Sequence, residues 1–175
     1  MNIIFLDIDG VLNTFHFGLK DFKNKYGGFL IIDPQKVKIL KEICDLTNSK
    51  VVLSTGWKFI IDDELKPLDK DGEFLLEVFQ KYDIPLIGKT ITIPKDLGQG
   101  KKTKYWKEYE IIDYLKNHSE VSHFCIVDDE TSGLESLLDY LVKTNDYQES
   151  EEDEGITKKH FDSITKVLKK ENYSK

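Results

Sequence analysis

Short unbroken apolar runs alternate along this chain with stretches in which apolar positions recur every three or four residues. Ile3 to Leu6 is a continuous apolar run of the sort that a strand buried on both faces of a parallel sheet carries. A Gly- and Phe-rich stretch follows from Gly10 to Ile32. Asp33-Pro34 then supplies an N-cap and a first-turn proline, and Val37, Leu40 and Cys44 recur at helical spacing, with Ile39, Ile43 and Leu46 widening the stripe. That helix should end near Asn48. Lys50 to Leu53 reads as a second buried strand, stopped by Ser54-Thr55-Gly56. From Trp57 to Asp83 the pattern is mostly helical, with breaks expected near Pro67 and Asp71-Gly72, and Pro85-Leu86-Ile87 forms a short third strand. After a Gly- and Lys-rich loop from Lys95 to Lys104, a helix from about Tyr105 to Lys116 turns Ile111, Ile112 and Leu115 inward. His123 to Val127 is a fourth strand, Tyr140 to Lys143 a fifth, and Phe161, Ile164 and Leu168 mark a final helix beginning near Thr157.

This alternation predicts an α/β fold: a parallel sheet of about five strands with helices on both faces, three layers in all. Right-handed crossovers leave few topologies for it, and ligands in such sheets sit at the carboxyl ends of the strands.

Size and composition narrow the picture without changing it. A chain of 175 residues with 39% hydrophobic residues can close one core, so a single domain spanning 1–175 is expected. A net charge of -7 argues against wholesale attraction to nucleic acid or an anionic membrane, though not against a local basic patch. No run approaches the roughly 20 apolar residues of a membrane span and the N-terminus opens on a strand, so a cytoplasmic protein without a membrane partner is expected. No obligate protein partner is evident. Cys44 and Cys125 lack metal-ligand spacing and read as buried small hydrophobes. The chain contains no Arg, so any anion site must use Lys. The acidic stretch at about 147–155, which includes Glu149 to Glu154, reads as a solvated surface loop.

The candidate chemistry gathers at strand ends. Asp7 and Asp9 follow the first strand. Two residues apart in extended chain, they would project to one side roughly 6.6 Å apart. Ser54 and Thr55 end the second strand, where their hydroxyls and backbone N–H groups could bond phosphoryl oxygens. Asp128-Asp129 follow the fourth strand and bring two more carboxylates to the same edge. Four acids on one edge imply a hard divalent cation, Mg2+ rather than the His- and Cys-loving zinc. The four histidines, His16, His118, His123 and His160, share no ligand spacing. A basic group should balance a phosphoryl charge. Lys107, in the first turn of the helix before the fourth strand, is one candidate, with Lys101, Lys102 and Lys104 as alternatives, and Lys58 is a second candidate for touching the substrate.

An apolar strand ending in Asp-x-Asp, a strand ending in Ser or Thr, a later Lys, and a strand ending in Asp-Asp resemble, in that order, the four motifs of the haloacid dehalogenase superfamily. The chain is similar, more closely, to a small group of these proteins described as domains of multi-enzyme RNA-repair polypeptides. The matching segments are Leu6 to Asn13, Ser54-Thr55-Gly56-Trp57-Lys58, Lys107-Glu108-Tyr109-Glu110-Ile111, Asp128-Asp129 and Val142-Lys143-Thr144. Lys stands at 58 and 107 where the group tends to carry Arg, and Glu108 replaces a Gly, so a bidentate grip on phosphate is lost.

The resemblance implies a HAD-like, Rossmann-like domain and a phosphatase mechanism. Asp7 would attack phosphorus to form an aspartyl-phosphate, and Asp9 would protonate the leaving oxygen and later deprotonate water. Asp7, the Asp9 backbone carbonyl and Asp129 would hold Mg2+, with Asp128 orienting Lys107 or a metal-bound water. Ser54 completes the catalytic set, and Thr55 and Lys58 are assigned to substrate. Specificity in the superfamily usually comes from an inserted cap. The gap from Gly10 to Lys50 and the gap between the second and third motifs both look too small for a cap domain. An open site suits a phosphate on a nucleic-acid end or another macromolecule. A small-metabolite phosphatase and a non-catalytic phosphate-binding or regulatory module are the alternatives.

Overall fold

The computed structural model describes residues 1–20, 23–91 and 106–170. In chain order its elements are β1 (Asn2–Leu6), a one-turn α1 (Phe15–Gly18), α2 (Pro34–Thr47), β2 (Ser49–Leu53), α3 (Lys70–Lys81), β3 (Leu86–Lys89), α4 (Trp106–Asn117), β4 (His123–Asp128), β5 (Leu141–Lys143) and α5 (Phe161–Val167). The five strands form one parallel sheet in the order β3-β2-β1-β4-β5. The chain winds outward from β1 through β2 to β3, then returns to place β4 on the other side of β1. The strand order therefore reverses between β1 and β4, which opens a crevice at their carboxyl ends.

Both faces of the sheet are covered, and this is why the strands read as unbroken apolar runs. Side chains alternate along each strand. Ile3 and Phe5 of β1 share one layer with Val52, Phe124 and Ile126, filled by Ile111, Tyr114 and Leu115 of α4. Ile4 and Leu6 share the opposite layer with Val51, Leu53, Cys125 and Val127. That layer is filled by Val37, Leu40, Ile43 and Cys44 of α2, Leu75 and Phe79 of α3, and Ile164 and Val167 of α5. Cys44 and Cys125 are free and buried.

Local chemistry sets the helix ends. The Asp33 side chain accepts from the Gln35 N–H at 2.8 Å, Pro34 opens α2, and Asn48 closes it in the left-handed conformation at φ 50°. Asp69 caps α3 by accepting from the Gly72 N–H at 2.9 Å. Asp71-Gly72, expected as a break, thus lies inside the first helical turn. Gly72 is there for space: a Cβ on it would stand 2.2 Å from the carbonyl oxygen of Ile60.

Among the described residues the connection from β4 to β5 holds no α-helix, only a 3-10 turn at Leu138–Tyr140, and Leu134 and Leu137 fill the α4 layer there. One further expectation needs correction, because the acidic run is not uniformly solvated. Glu149, Glu152 and Asp153 are exposed, but the Glu154 side chain is fully buried. Its carboxylate accepts the backbone N–H of His16 at 3.1 Å and of Gln148 at 3.2 Å, and Oε1 lies 2.6 Å from His16 Nδ1. Enough donors converge on this one acid to replace the water it lost.

Among the described residues neither connection between motifs carries a separate cap. No described helix is long and apolar enough to cross a membrane.

Candidate active site

β1 stops at Leu6, and the chain then turns tightly about one carbonyl. Ile8 O accepts from the N–H groups of Val11, Leu12 and Asn13 at 3.2, 2.8 and 2.9 Å. Gly10 completes the turn at φ +68°, a region that favours glycine. Glycine is needed a second time for space, because a Cβ there would meet the Asp129 carboxyl carbon at 2.2 Å. The turn also changes the expected geometry of the acid pair. Asp7 and Asp9 are not consecutive inward positions of an extended strand: Asp7 is buried beside β4, its N–H bonded to Val127 O at 3.0 Å, whereas Asp9 is exposed on the turn.

The turn is clasped from the far end of the sheet. Thr144, fully buried just past β5, donates its hydroxyl to Gly10 O at 2.7 Å and its N–H to Asp128 O at 2.9 Å. One threonine therefore holds the two acidic loops at a fixed separation.

Asp7, Asp128 and Asp129 converge, each offering an oxygen within 4.8 Å of the others. Lys107, projecting from the first turn of α4, bridges two of them: its Nζ donates to Asp7 Oδ2 at 2.7 Å and to Asp128 Oδ2 at 2.5 Å. Asp7 Oδ1 also accepts from the Ile8 N–H at 2.8 Å, and Asp128 Oδ1 from the Glu130 N–H at 3.0 Å. Burial pushes the Lys107 ammonium down, but the charges of Asp7 and Asp128 outweigh it and hold the group above its ordinary value, so it stays charged. Asp128 is pushed above the usual carboxylate range by burial and by Asp7, against the opposing pull of Lys107. Asp129 is raised by burial and then by the charge of Asp7.

Burial is the main cause of the upward shifts on Asp128 and Asp129. Three acids facing one ammonium also leave negative charge that a bound cation would offset. The free donors are hard carboxylate oxygens, with no His or Cys in the group. Such a set fits a hard divalent cation such as Mg2+, for which Asp7, Asp128 and Asp129 would supply the protein ligands. The Asp9 carboxylate stands outside this group. Its Oδ1 accepts from the Asn13 side-chain amide at 2.8 Å and its Oδ2 from the Trp57 indole N–H at 2.8 Å.

Ser54 continues β2, its N–H bonded to Leu6 O at 2.9 Å, which sets it beside the Leu6–Asp7 peptide. Its hydroxyl is buried and finds no protein partner among the described residues. A buried hydroxyl left in that condition costs about 1–3 kcal/mol, so the sequence retains it at a price in stability. Thr55 Oγ1 accepts from the Trp57 N–H at 3.3 Å, capping the 3-10 turn Gly56–Ile60. Lys58 lies in that turn, with its ammonium ion-paired to Glu110 of α4 and donating to Thr90 Oγ1 at 3.3 Å and Ile91 O at 3.0 Å. Lys101, Lys102 and Lys104 lie outside the described residues.

Asn13, Glu110 and Thr144 lie within the family-like segments without a task that the sequence alone assigns, and Trp57 is expected only as one of several aromatics that could line the opening. Their positions inside those segments were the available signal. What each touches depends on contacts 48 residues away for Trp57 and 134 for Thr144.

A three-layer sheet with Asp7, Lys107, Asp128 and Asp129 at its reversal point defines a HAD-like domain, the fold of a superfamily of hydrolases and phosphatases. The family model that matches, over residues 3–160, is described as the HAD domain in Swiss Army Knife RNA repair proteins, and the chain belongs to that family. No curated protein and no solved structure gave a significant match.

Proposed function

We propose that this chain is a Mg2+-dependent phosphomonoesterase that works through an aspartyl-phosphate on Asp7 and acts on phosphorylated nucleic-acid ends. The observation that carries the reading is the pairing of Asp7 with Lys107 beside the buried hydroxyl of Ser54, which has no protein partner among the described residues.

Lys107 and Ser54 present a cation and a hydroxyl next to Asp7, which is where the oxygens of a phosphoryl group must rest when a carboxylate attacks its phosphorus. An Asp7 oxygen forms the new O–P bond as the ester O–P bond breaks. Asp9, exposed and steered by Trp57 and Asn13, gives its proton to the departing alkoxide. In the second half Asp9 takes a proton from water, whose oxygen attacks phosphorus, and the Asp7 O–P bond breaks to release inorganic phosphate. Mg2+, when bound, offsets the repulsion between Asp7 and the anionic phosphoryl group. Thr55 supports the substrate side of the site through the turn it caps.

The nucleic-acid end is supported by the family's description as a domain of RNA repair proteins and by the open edge at which Asp9 lies exposed. Phosphate release is to be measured with Mg2+ from 3'- and 5'-phosphorylated oligonucleotides beside common sugar and nucleotide phosphates. Turnover of the oligonucleotides that is lost in Asp7→Asn is the expected result. Turnover confined to the small molecules would sink the nucleic-acid part, and activity retained in Asp7→Asn would remove Asp7 as nucleophile.

A further inference from the structure

Lys58 and Glu110 form an ion pair in which the side chains are only 6% and 10% exposed. A buried pair of this kind is usually no more stabilising than two apolar residues of similar size, so its presence points toward a geometric task. The surroundings identify that task. Lys58 follows Ser54 and Thr55 by one short turn, and Glu110 follows Lys107 by three residues, close to one turn of α4. The pair therefore joins the segment that carries the hydroxyls to the helix that carries the catalytic ammonium. Thr90 and Ile91, just past β3, close the cluster: Thr90 Oγ1 also donates to Glu110 Oε2 at 3.3 Å.

All three N–H donors of the Lys58 ammonium are satisfied inside this cluster, by Glu110, Thr90 and Ile91 O. None remains for a phosphate. Ile111, Tyr114 and Leu115 pack the apolar face of α4 onto the sheet. Lys107 must reach two different carboxylates at 2.7 and 2.5 Å. On the other side of the same turn, Glu108 accepts from the Ser136 N–H at 2.7 Å and its N–H donates to Gly133 O at 2.8 Å, which ties α4 to the loop after Asp129.

We infer that Lys58 and Glu110 are positioning residues: their buried ion pair locks α4 in rotation and height, so that Lys107 bridges Asp7 and Asp128 in register with Ser54 and Thr55. The kinetic arm of this inference rests on the phosphatase reading; the metal-binding arm does not.

The decisive variant is Lys58→Met/Glu110→Leu, which removes both charges and leaves neither unpaired, with Lys58→Arg as the conservative control. Assayed with Mg2+ on a soluble phosphomonoester, the double variant should melt near the wild type, lose about 10–100-fold in kcat and keep KM within about threefold. Lys58→Arg should recover most of that kcat. Should the double variant fail to fold, Glu110→Gln is expected to show the same split. An unchanged kcat in the folded variant overturns the inference, as does a raised KM at full kcat, which would make Lys58 a substrate contact. Calorimetric titration with Mg2+ reads the same displacement without turnover. Once Lys107 is loosened from Asp7 and Asp128, the Mg2+ affinity should shift in the same direction as in a Lys107→Met variant titrated alongside, and an affinity equal to wild type overturns the inference. A wild type that binds Mg2+ but releases no phosphate from any substrate would sink the phosphatase reading alone.

Discussion

The indole N–H of Trp57 donates to Asp9 Oδ2 at 2.8 Å, and the Asn13 amide holds the other oxygen of the same carboxylate at the same distance. An exposed acid on a turn would otherwise sample several rotamers, and a proton donor must meet the leaving oxygen in one of them. Trp57→Phe keeps an aromatic ring at the position, though a smaller one, and removes the donor. It should lower kcat by about 3–10-fold with KM little changed, because the lost hydrogen bond acts on the acid and not on the bound phosphate. Steady-state kinetics on a soluble phosphomonoester reads this directly. A higher KM at full kcat would instead make the indole a substrate platform.

The three clustered carboxylates predict an inversion of stability with metal. Asp129 is half-buried, and burial first and then the charge of Asp7 disfavour its charged form. Asp129→Asn removes one of these charges. In chelator its melting temperature should rise above wild type by about 1–3 °C, a small gain because solvent screens a partly exposed pair. In millimolar Mg2+ the order should reverse, since wild type gains binding free energy that the variant has largely forfeited. Thermal melts with chelator and with Mg2+ test both halves, and equal Mg2+ stabilisation of the two proteins would remove Asp129 from the ligand set.

Much of this arrangement is legible in the chain because burial on both faces writes itself as apolar runs. Ile3 to Leu6 and His123 to Val127 could hardly have been anything but central strands, and Asp33-Pro34 announces its helix. The start of α3 is obscured because Gly72, a poor helix former, is retained for its clearance from Ile60 O, a contact no local pattern reveals. At the catalytic turn only the extended-chain spacing fails to carry over, because the convergence of three N–H groups on Ile8 O ends the extension that this spacing assumes. Likewise the inward orientation of Glu154 is hidden by acidic neighbours that do face solvent. Trp57, Glu110 and Thr144 owe their positions to partners brought near only by the completed sheet.

Glu154 supplies a pH dependence whose sign follows from its environment. Burial pushes its carboxyl up, but the hydrogen bonds from the His16 side chain and backbone and from Gln148 N–H outweigh burial and hold it below the ordinary glutamate value. A group depressed in the folded state stabilises the fold above its unfolded pKa, and the benefit fades as pH falls through the folded value. These bonds pin the segment that follows Asn13 to the acidic loop, so they also support the turn that carries Asp9. Glu154→Gln should therefore melt about 3–8 °C below wild type at pH 7, the loss expected when hydrogen bonds to a charged acceptor are weakened. The gap between the two melting curves should close as pH falls below the ordinary glutamate range and through the depressed folded value, where the wild-type carboxylate itself takes up a proton. A gap that stays constant from pH 7 to pH 3 would show that Glu154 contributes through its shape and not its charge.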